Sequence, residues 1–168
     1  NLGRLQISGA GVEALANAQI AGLSDGLRAS GRVTADVADL ARFSALTGRA
    51  LGGAGRMELA GQGSPLGGDF DVTLALSGAD LRLGLPELDS ALAGQSRLDL
   101  AARRDATGTR LDRLSLVAPR VTAEGRALLA SDRSEADLRF ALPDLAPLRP
   151  GLGGAVSGQA QLRGAILQ

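Results

Sequence analysis

The chain has 168 residues and a formal charge of zero, with 18 basic and 18 acidic residues, and it contains no Cys, His, Trp or Tyr. Nucleic-acid binding is not expected, because it normally requires a positive surface and aromatic platforms for stacking. Without His or Cys, the common zinc and transition-metal ligand sets, thiolate catalysis and Ser-His triads cannot be assembled. We therefore predict no metal site, no cofactor and no enzymatic activity.

Alternating apolar and polar residues predict short β-strands along the whole chain. In chain order the alternation covers residues 5–8, 12–20, 33–37, 55–61, 72–76, 81–85, 96–102, 111–117, 121–129, 136–140 and 158–164. Successive side chains of a strand point to opposite faces, so each segment has one apolar and one polar face. Many of the 24 glycines lie between these segments, where turns require positive φ. This pattern predicts a mainly β architecture.

Short helical turns are predicted between some of the strands. Asp39 is suited to cap a short helix in which Leu40, Phe43 and Leu46 share one face, and Asp144 opens a similar turn at 144–148. The unit of strand, helical turn and strand recurs, so residues 1–168 are expected to form one repetitive β domain. Because the chain starts at Asn1, without Met and close to a strand, we expect a fragment of a longer protein.

The alternation assigns a set of apolar residues to one face of the predicted sheet. These candidate groove residues are Leu5, Ile7, Val33, Val37, Met57, Leu59, Val72, Leu74, Leu76, Leu81, Leu83, Leu98, Leu100, Leu114, Leu116, Leu138, Phe140 and Leu162. The opposite face carries charges of opposite sign two residues apart, namely Arg56 with Glu58, Arg97 with Asp99, and Asp137 with Arg139. Such pairs are typical of a solvated outer surface.

Two motifs suggest other functions. Gly9-Ala10-Gly11, after an apolar strand and upstream of Asp36, matches the phosphate-binding turn of a dinucleotide-binding enzyme. That fold requires strands apolar on both faces and a helix after Gly11, whereas residues 12–20 and 33–37 alternate. Asp69-Phe70-Asp71 is a DxD pair of the kind that holds a divalent ion, but it opens an alternating strand with both carboxylates on the polar face. The glycine motif is therefore better explained as a structural turn than as a phosphate-binding site, and the DxD pair as a charged outer surface rather than a metal site.

Residues 80–98, 39–46 and 152–164 together resemble the repetitive periplasmic part of the TamB family, the inner-membrane-anchored subunits of the translocation and assembly module and relatives of AsmA-like proteins. The resemblance implies an elongated, curled β-sheet, a trough called a β-taco, with an apolar concave face. It also implies a periplasmic location, an outer-membrane partner of the same module, and no catalytic residues. The candidate groove residues would then line the trough.

The resemblance implies two functions for such a trough. One is a conduit in which phospholipid acyl chains move between the inner and outer membranes. The other is assembly or secretion of outer-membrane proteins and autotransporters, in which a client β-strand pairs with an open sheet edge. A closed β-sandwich or β-solenoid, serving as a spacer or an adhesin rod without a ligand, gives the same alternation and stays open as an alternative.

Overall fold

A computed structural model describes residues 2–9, 11–22, 27–64, 66–145 and 153–165. Its strands are β1 (Leu2–Gly9), β2 (Val12–Ala21), β3 (Arg28–Val37), β4 (Leu51–Gly63), β5 (Phe70–Leu83), β6 (Gln95–Asp105), β7 (Gly108–Ala118), β8 (Val121–Ala130), β9 (Arg133–Leu142) and β10 (Val156–Ala165). A 3₁₀ turn (Leu40–Phe43) runs into helix α1 (Ser44–Thr47), and helix α2 (Pro86–Ala91) follows β5. The predicted mainly β fold with short helical turns is confirmed.

The ten strands form one antiparallel sheet in which each strand pairs with its neighbours in the sequence. In the described part of the chain no second sheet packs on this one, and β1 does not pair with β10. The closed sandwich is therefore not the arrangement of these strands, and a solenoid of parallel coils is excluded because every pairing is antiparallel. The predicted curling into a trough stays a prediction.

The dinucleotide-binding motif is a hairpin turn. Gly9 and Gly11 both have positive φ and join β1 to β2, while Ala10 lies outside the described residues. Residues 12–21 form a strand that pairs antiparallel with β1, where a phosphate-binding turn would require a helix. The nucleotide interpretation of Gly9 and Gly11 is therefore wrong, because their freedom at positive φ serves the hairpin.

The helical connections lie at one end of the sheet, which we call the helical end. Asp39 caps the 3₁₀ turn as predicted, since its Oδ1 accepts a hydrogen bond of 2.9 Å from the Ala41 amide. Leu40 is half-buried, but Leu46, predicted on the same face, is 83% exposed. The helical turn predicted at 144–148 lies mostly outside the described residues.

Helix α2 is fixed at the helical end by polar contacts. The Leu83 amide donates to Asp89 Oδ1 at 2.6 Å, and Arg120, in the turn between β7 and β8, donates through Nη1 to the Ser90 carbonyl at 3.0 Å. Ser96 Oγ donates to the Leu92 carbonyl at 3.1 Å. These bonds hold the connection between β5 and β6 against the sheet.

The small core of the protein lies at this same end. Ala91, Ser96 and Ala118 are buried, as are Gly52 and Gly78, and no large side chain is fully buried in the described part of the chain. The accessible surface is 11243 Å², against about 7,700 Å² for a compact monomer of 16.9 kDa. This excess agrees with a sheet on which the described residues form no covering layer over most of the surface.

Candidate functional site

The pairing register collects the apolar residues of the ten strands on one face of the sheet. Residues paired across antiparallel strands point to the same side. One row crosses the entire sheet through Leu5, Ala16, Val33, Leu59, Leu74, Leu100, Leu114, Gly125, Leu138 and Ala160. We call this side the apolar face and the opposite side the polar face.

Sixteen of the eighteen predicted groove residues share the apolar face by register, all except Leu81 and Leu83. Those two follow an irregularity of β5 at Asp80. The Leu81 side chain nevertheless lies against the apolar side of Gly78, because a Cβ added to Gly78 would come within 2.6 Å of it. Leu83 pairs with Leu51 beyond the irregularity. The predicted set is therefore largely one continuous surface.

This surface is open to solvent. None of the eighteen predicted residues is buried; thirteen are half-buried and five are exposed, with Leu5 at 58%, Ile7 at 54% and Leu162 at 63%. Exposed apolar surface on this scale is unusual for a monomer, where the largest patch is typically a few hundred Å². The described residues therefore leave an apolar surface of this sheet exposed to solvent.

At the helical end, part of the apolar face is covered by Leu40 from the 3₁₀ turn and by Leu81 from the irregular end of β5. The row here contains Val37, Gly55, Gly78 and Ser96. Leu40 Cδ1 lies 3.8 Å from the Cβ position of Gly55, and the Leu81 side chain covers Gly78. The absence of side chains on the two glycines makes room for these leucines.

At the other end, which we call the hairpin end, the apolar face has a hollow of about 550 Å³ over β2 to β5. Its floor is made of small residues, including Ala16, Ala18, Ala29, Gly31, Gly61 and Gly63. Val33, Leu59, Val72 and Phe70 surround this floor. The hollow exists because the floor residues lack long side chains while their neighbours in the register carry them.

Val33, Leu59 and Val72 of this hollow belong to the predicted groove set, but sequence reasoning missed its small floor residues and Phe70. Ala and Gly carry little apolar signal, so the alternation predicts Ala16 and Ala18 as strand residues but not as groove residues. Phe70 was considered only as the centre of the DxD pair. The signal that could have found it is its alternation with Val72 and Leu74, because the register places all three on the apolar face.

The polar face carries a network of exposed ion pairs. Arg56 pairs with Glu58 at 3.3 Å and Arg97 with Asp99 at 2.6 Å, as predicted. Asp137 and Arg139 lie on this same face, and Asp137 pairs across the strands with Arg126 at 3.1 Å rather than along its own strand. Arg139 lies opposite Glu124 in the register.

Hydrogen bonds on this face lower the pKa values of two carboxyl groups. The pKa of Asp99 lies below its usual value because the Arg97 guanidinium bonds to both carboxylate oxygens. The pKa of Asp105 is lowered by the hydroxyl and amide of Thr107. These bonds favour the ionised form, so both carboxyl groups stay charged to lower pH than a free aspartate.

The DxD pair does not form a metal centre in the described part of the chain. Asp71 lies on the polar face, Phe70 lies on the apolar face, and Asp69 precedes the strand. Across the described residues, no three Asp or Glu side chains come together in a way that could hold a metal ion. The described helices are likewise all too short to cross a bilayer.

Comparison with known proteins gives no family for this chain. No protein-family model, no curated protein and no solved structure matches it. The site is therefore defined by its own geometry, an uncovered apolar face backed by a charged and hydrated one.

Proposed function

We propose that the apolar face binds phospholipid acyl chains and serves as a segment of a lipid conduit. The observation that carries this proposal is the single apolar row that crosses ten strands without a covering layer. Its lining of Leu, Val, Ala and Gly offers no regular set of hydrogen-bonding groups, which suits a chain of methylene groups rather than a polar ligand. The charged opposite face suits an aqueous compartment.

The dimensions of the apolar face agree with this occupant. Strands lie about 4.8 Å apart, so a row through ten strands extends about 43 Å, and the hollow over β2 to β5 extends about 14 Å. One leaflet of a bilayer contributes half of a hydrocarbon core of about 30 Å. The hollow is thus about as long as one acyl chain, and the full row is long enough for chains to follow one another.

The broader setting is also part of the proposal. A sheet with one apolar and one charged face fits the expected periplasmic segment of a TamB-like, inner-membrane-anchored subunit that works with an outer-membrane partner. In that setting the row of apolar residues would lead acyl chains across an aqueous space between two membranes. The resemblance of residues 39–46 and 80–98 to that family supports this setting.

The test is co-purification of lipid. The chain is produced in a bacterial host, purified without detergent, and examined by native mass spectrometry and by lipid extraction. We expect bound phospholipid at about one or more molecules per chain, because the uncovered surface is costly to leave in water. A lipid-free monomer that also takes up no phospholipid from added vesicles would contradict the proposal.

A second candidate function is capture of a client β-strand at a sheet edge. The outer edges of β1 and β10 are unpaired in the described sheet. Neither edge strand contains Pro or an acidic residue, and both pair with their inner neighbours without a bulge. Natural sheets usually protect edges with Pro, bulges or charged side chains, and here each edge strand has a single charge, Arg4 in β1 and Arg163 in β10. The long, regular backbone edges favour pairing with another strand.

Proline substitutions at neighbouring positions of β10 test strand capture. Gln159 and Ala160 are adjacent, so the N–H of one points toward β9 and the N–H of the other points outward. A Pro at the inward position breaks a hydrogen bond to β9, whereas a Pro at the outward position removes only an unpaired N–H. We expect one variant to lose stability. Crosslinking is measured between a photoreactive label on Gln161→Cys and an unfolded outer-membrane barrel protein. The variant with Pro at the outward position is expected to stay folded but to lose this crosslinking. Unchanged crosslinking in both variants would exclude capture at β10.

A further inference from the structure

Among the described residues in regular strand pairing, the apolar face carries one charged residue, and that residue lies beside the hollow, whose lining also includes Arg32 and Asp69. Arg104 pairs with Phe70 on one side and with Thr109 on the other, in the row at the hairpin end. Outside the irregular segments at 52–54 and 79–83, every other paired strand residue on this face is apolar, Gly, Ser or Thr. A single cation on such a surface calls for an explanation.

Arg104 has no carboxylate partner among the described residues. Its neighbour Arg103, which points to the opposite face, pairs with Asp112 at 3.1 Å. No described carboxylate lies within ion-pair distance of Arg104, and the adjacent Asp105 is on the polar face, where it accepts bonds from Thr107. The exposed guanidinium is therefore available to an anion that reaches the apolar face.

We propose that Arg104 binds the phosphate of a glycerophospholipid whose acyl chain occupies the adjacent hollow. Paired residues are about 5 Å apart, so a phosphate on Arg104 leaves the first carbons of the acyl chain next to Phe70, which lines the hollow. Arg is well suited to this contact because its planar guanidinium bonds phosphate oxygens in pairs. This inference rests on the proposed lipid-binding function and names the class of lipid and its orientation, with the head group on the β6 side of the hollow and the acyl chain running across β5 toward β2.

Two lipids with the same acyl chains separate head-group recognition from acyl binding. Phosphatidylglycerol carries the phosphate and one net negative charge, and diacylglycerol carries neither. We expect the unchanged chain to bind phosphatidylglycerol about fivefold more strongly than diacylglycerol, as measured by native mass spectrometry after loading from the same nonionic micelles, since a partly exposed ion pair contributes up to about this factor.

The variants then assign the effect to one residue. Arg104→Gln is expected to reduce phosphatidylglycerol binding to the level of diacylglycerol, with diacylglycerol binding unchanged, and Arg104→Lys is expected to keep part of the preference. Arg103→Gln, the same change on the polar face, is expected to leave the preference intact. If Arg104→Gln binds both lipids as the unchanged chain does, the head-group assignment is wrong and the acyl-binding function stands. If neither lipid binds to the unchanged chain, both proposals are wrong.

Discussion

Leu74→Asp is expected to reduce co-purifying phospholipid by at least about tenfold while the sheet still forms. Leu74 is half-buried in the middle of the apolar row, between Leu59 and Leu100. In the free protein the new carboxylate stays within reach of water, but a bound acyl chain would bury it without a partner. That burial costs several kcal/mol, and each 1.4 kcal/mol is tenfold in affinity. The measurement is lipid per chain by native mass spectrometry.

The matched control is Thr73→Asp, which adds the same charge one residue earlier. Thr73 is exposed on the polar face, opposite Ala60 and Ala101, so its variant should retain lipid. Circular dichroism monitors folding in both.

Because Leu74 lies in a central strand, Leu138→Asp gives a second test at a position that is 38% exposed, with Gln159→Asp as its control on the polar face. If the Leu variants unfold, these residues are core residues. If they fold and retain lipid, the apolar face is not the binding site.

The fold was largely predictable from the sequence because the signal was local. Alternation indicates a strand wherever one face is apolar and the other polar, and an alternating segment lies in every strand of the sheet. This includes β2, which follows the glycines that resemble a nucleotide-binding motif. The antiparallel meander follows from short connections between successive strands. The cap at Asp39 was likewise a property of neighbouring residues.

The details that escaped prediction depend on register, which a single strand does not encode. The partner of Asp137 is Arg126 on the neighbouring strand, so spacing within β9 could not identify it. The hollow arises where Ala18, Gly31 and Gly61 fall in one row, and no one of these residues is informative alone. The position of Arg104 on the apolar face likewise emerges only from its pairing with Phe70.

Gly53→Ala is expected to lower the free energy of unfolding by about 2–4 kcal/mol. Gly53 lies in the irregular pairing of β4 with β5 and has a φ of +87°, which costs about 1–2 kcal/mol for a residue with a Cβ. A Cβ there would also overlap the backbone oxygen of Asp80 and come within 2.5 Å of the Ala79 oxygen. Backbone atoms cannot give way as a flexible side chain can, so the pairing itself must shift. The measurement is the midpoint of urea unfolding.

The comparison with Gly3→Ala shows whether this cost arises from the irregular pairing or from any loss of glycine. Gly3 lies in β1, lacks a positive φ, and has no atom within 4 Å of an added Cβ, so its variant should change stability by less than about 0.5 kcal/mol. In a third variant, Asp80→Gly relieves the positive φ of 51° but also removes the hydrogen bond that Asp80 Oδ1 accepts from the Gly94 amide at 3.0 Å, so the two effects should largely cancel. Equal midpoints for the Gly53 and Gly3 variants would mean that β4 and β5 pair here without the irregularity. In that case Leu81 would lose its place over Gly78, and the apolar face would continue uncovered to the helical end.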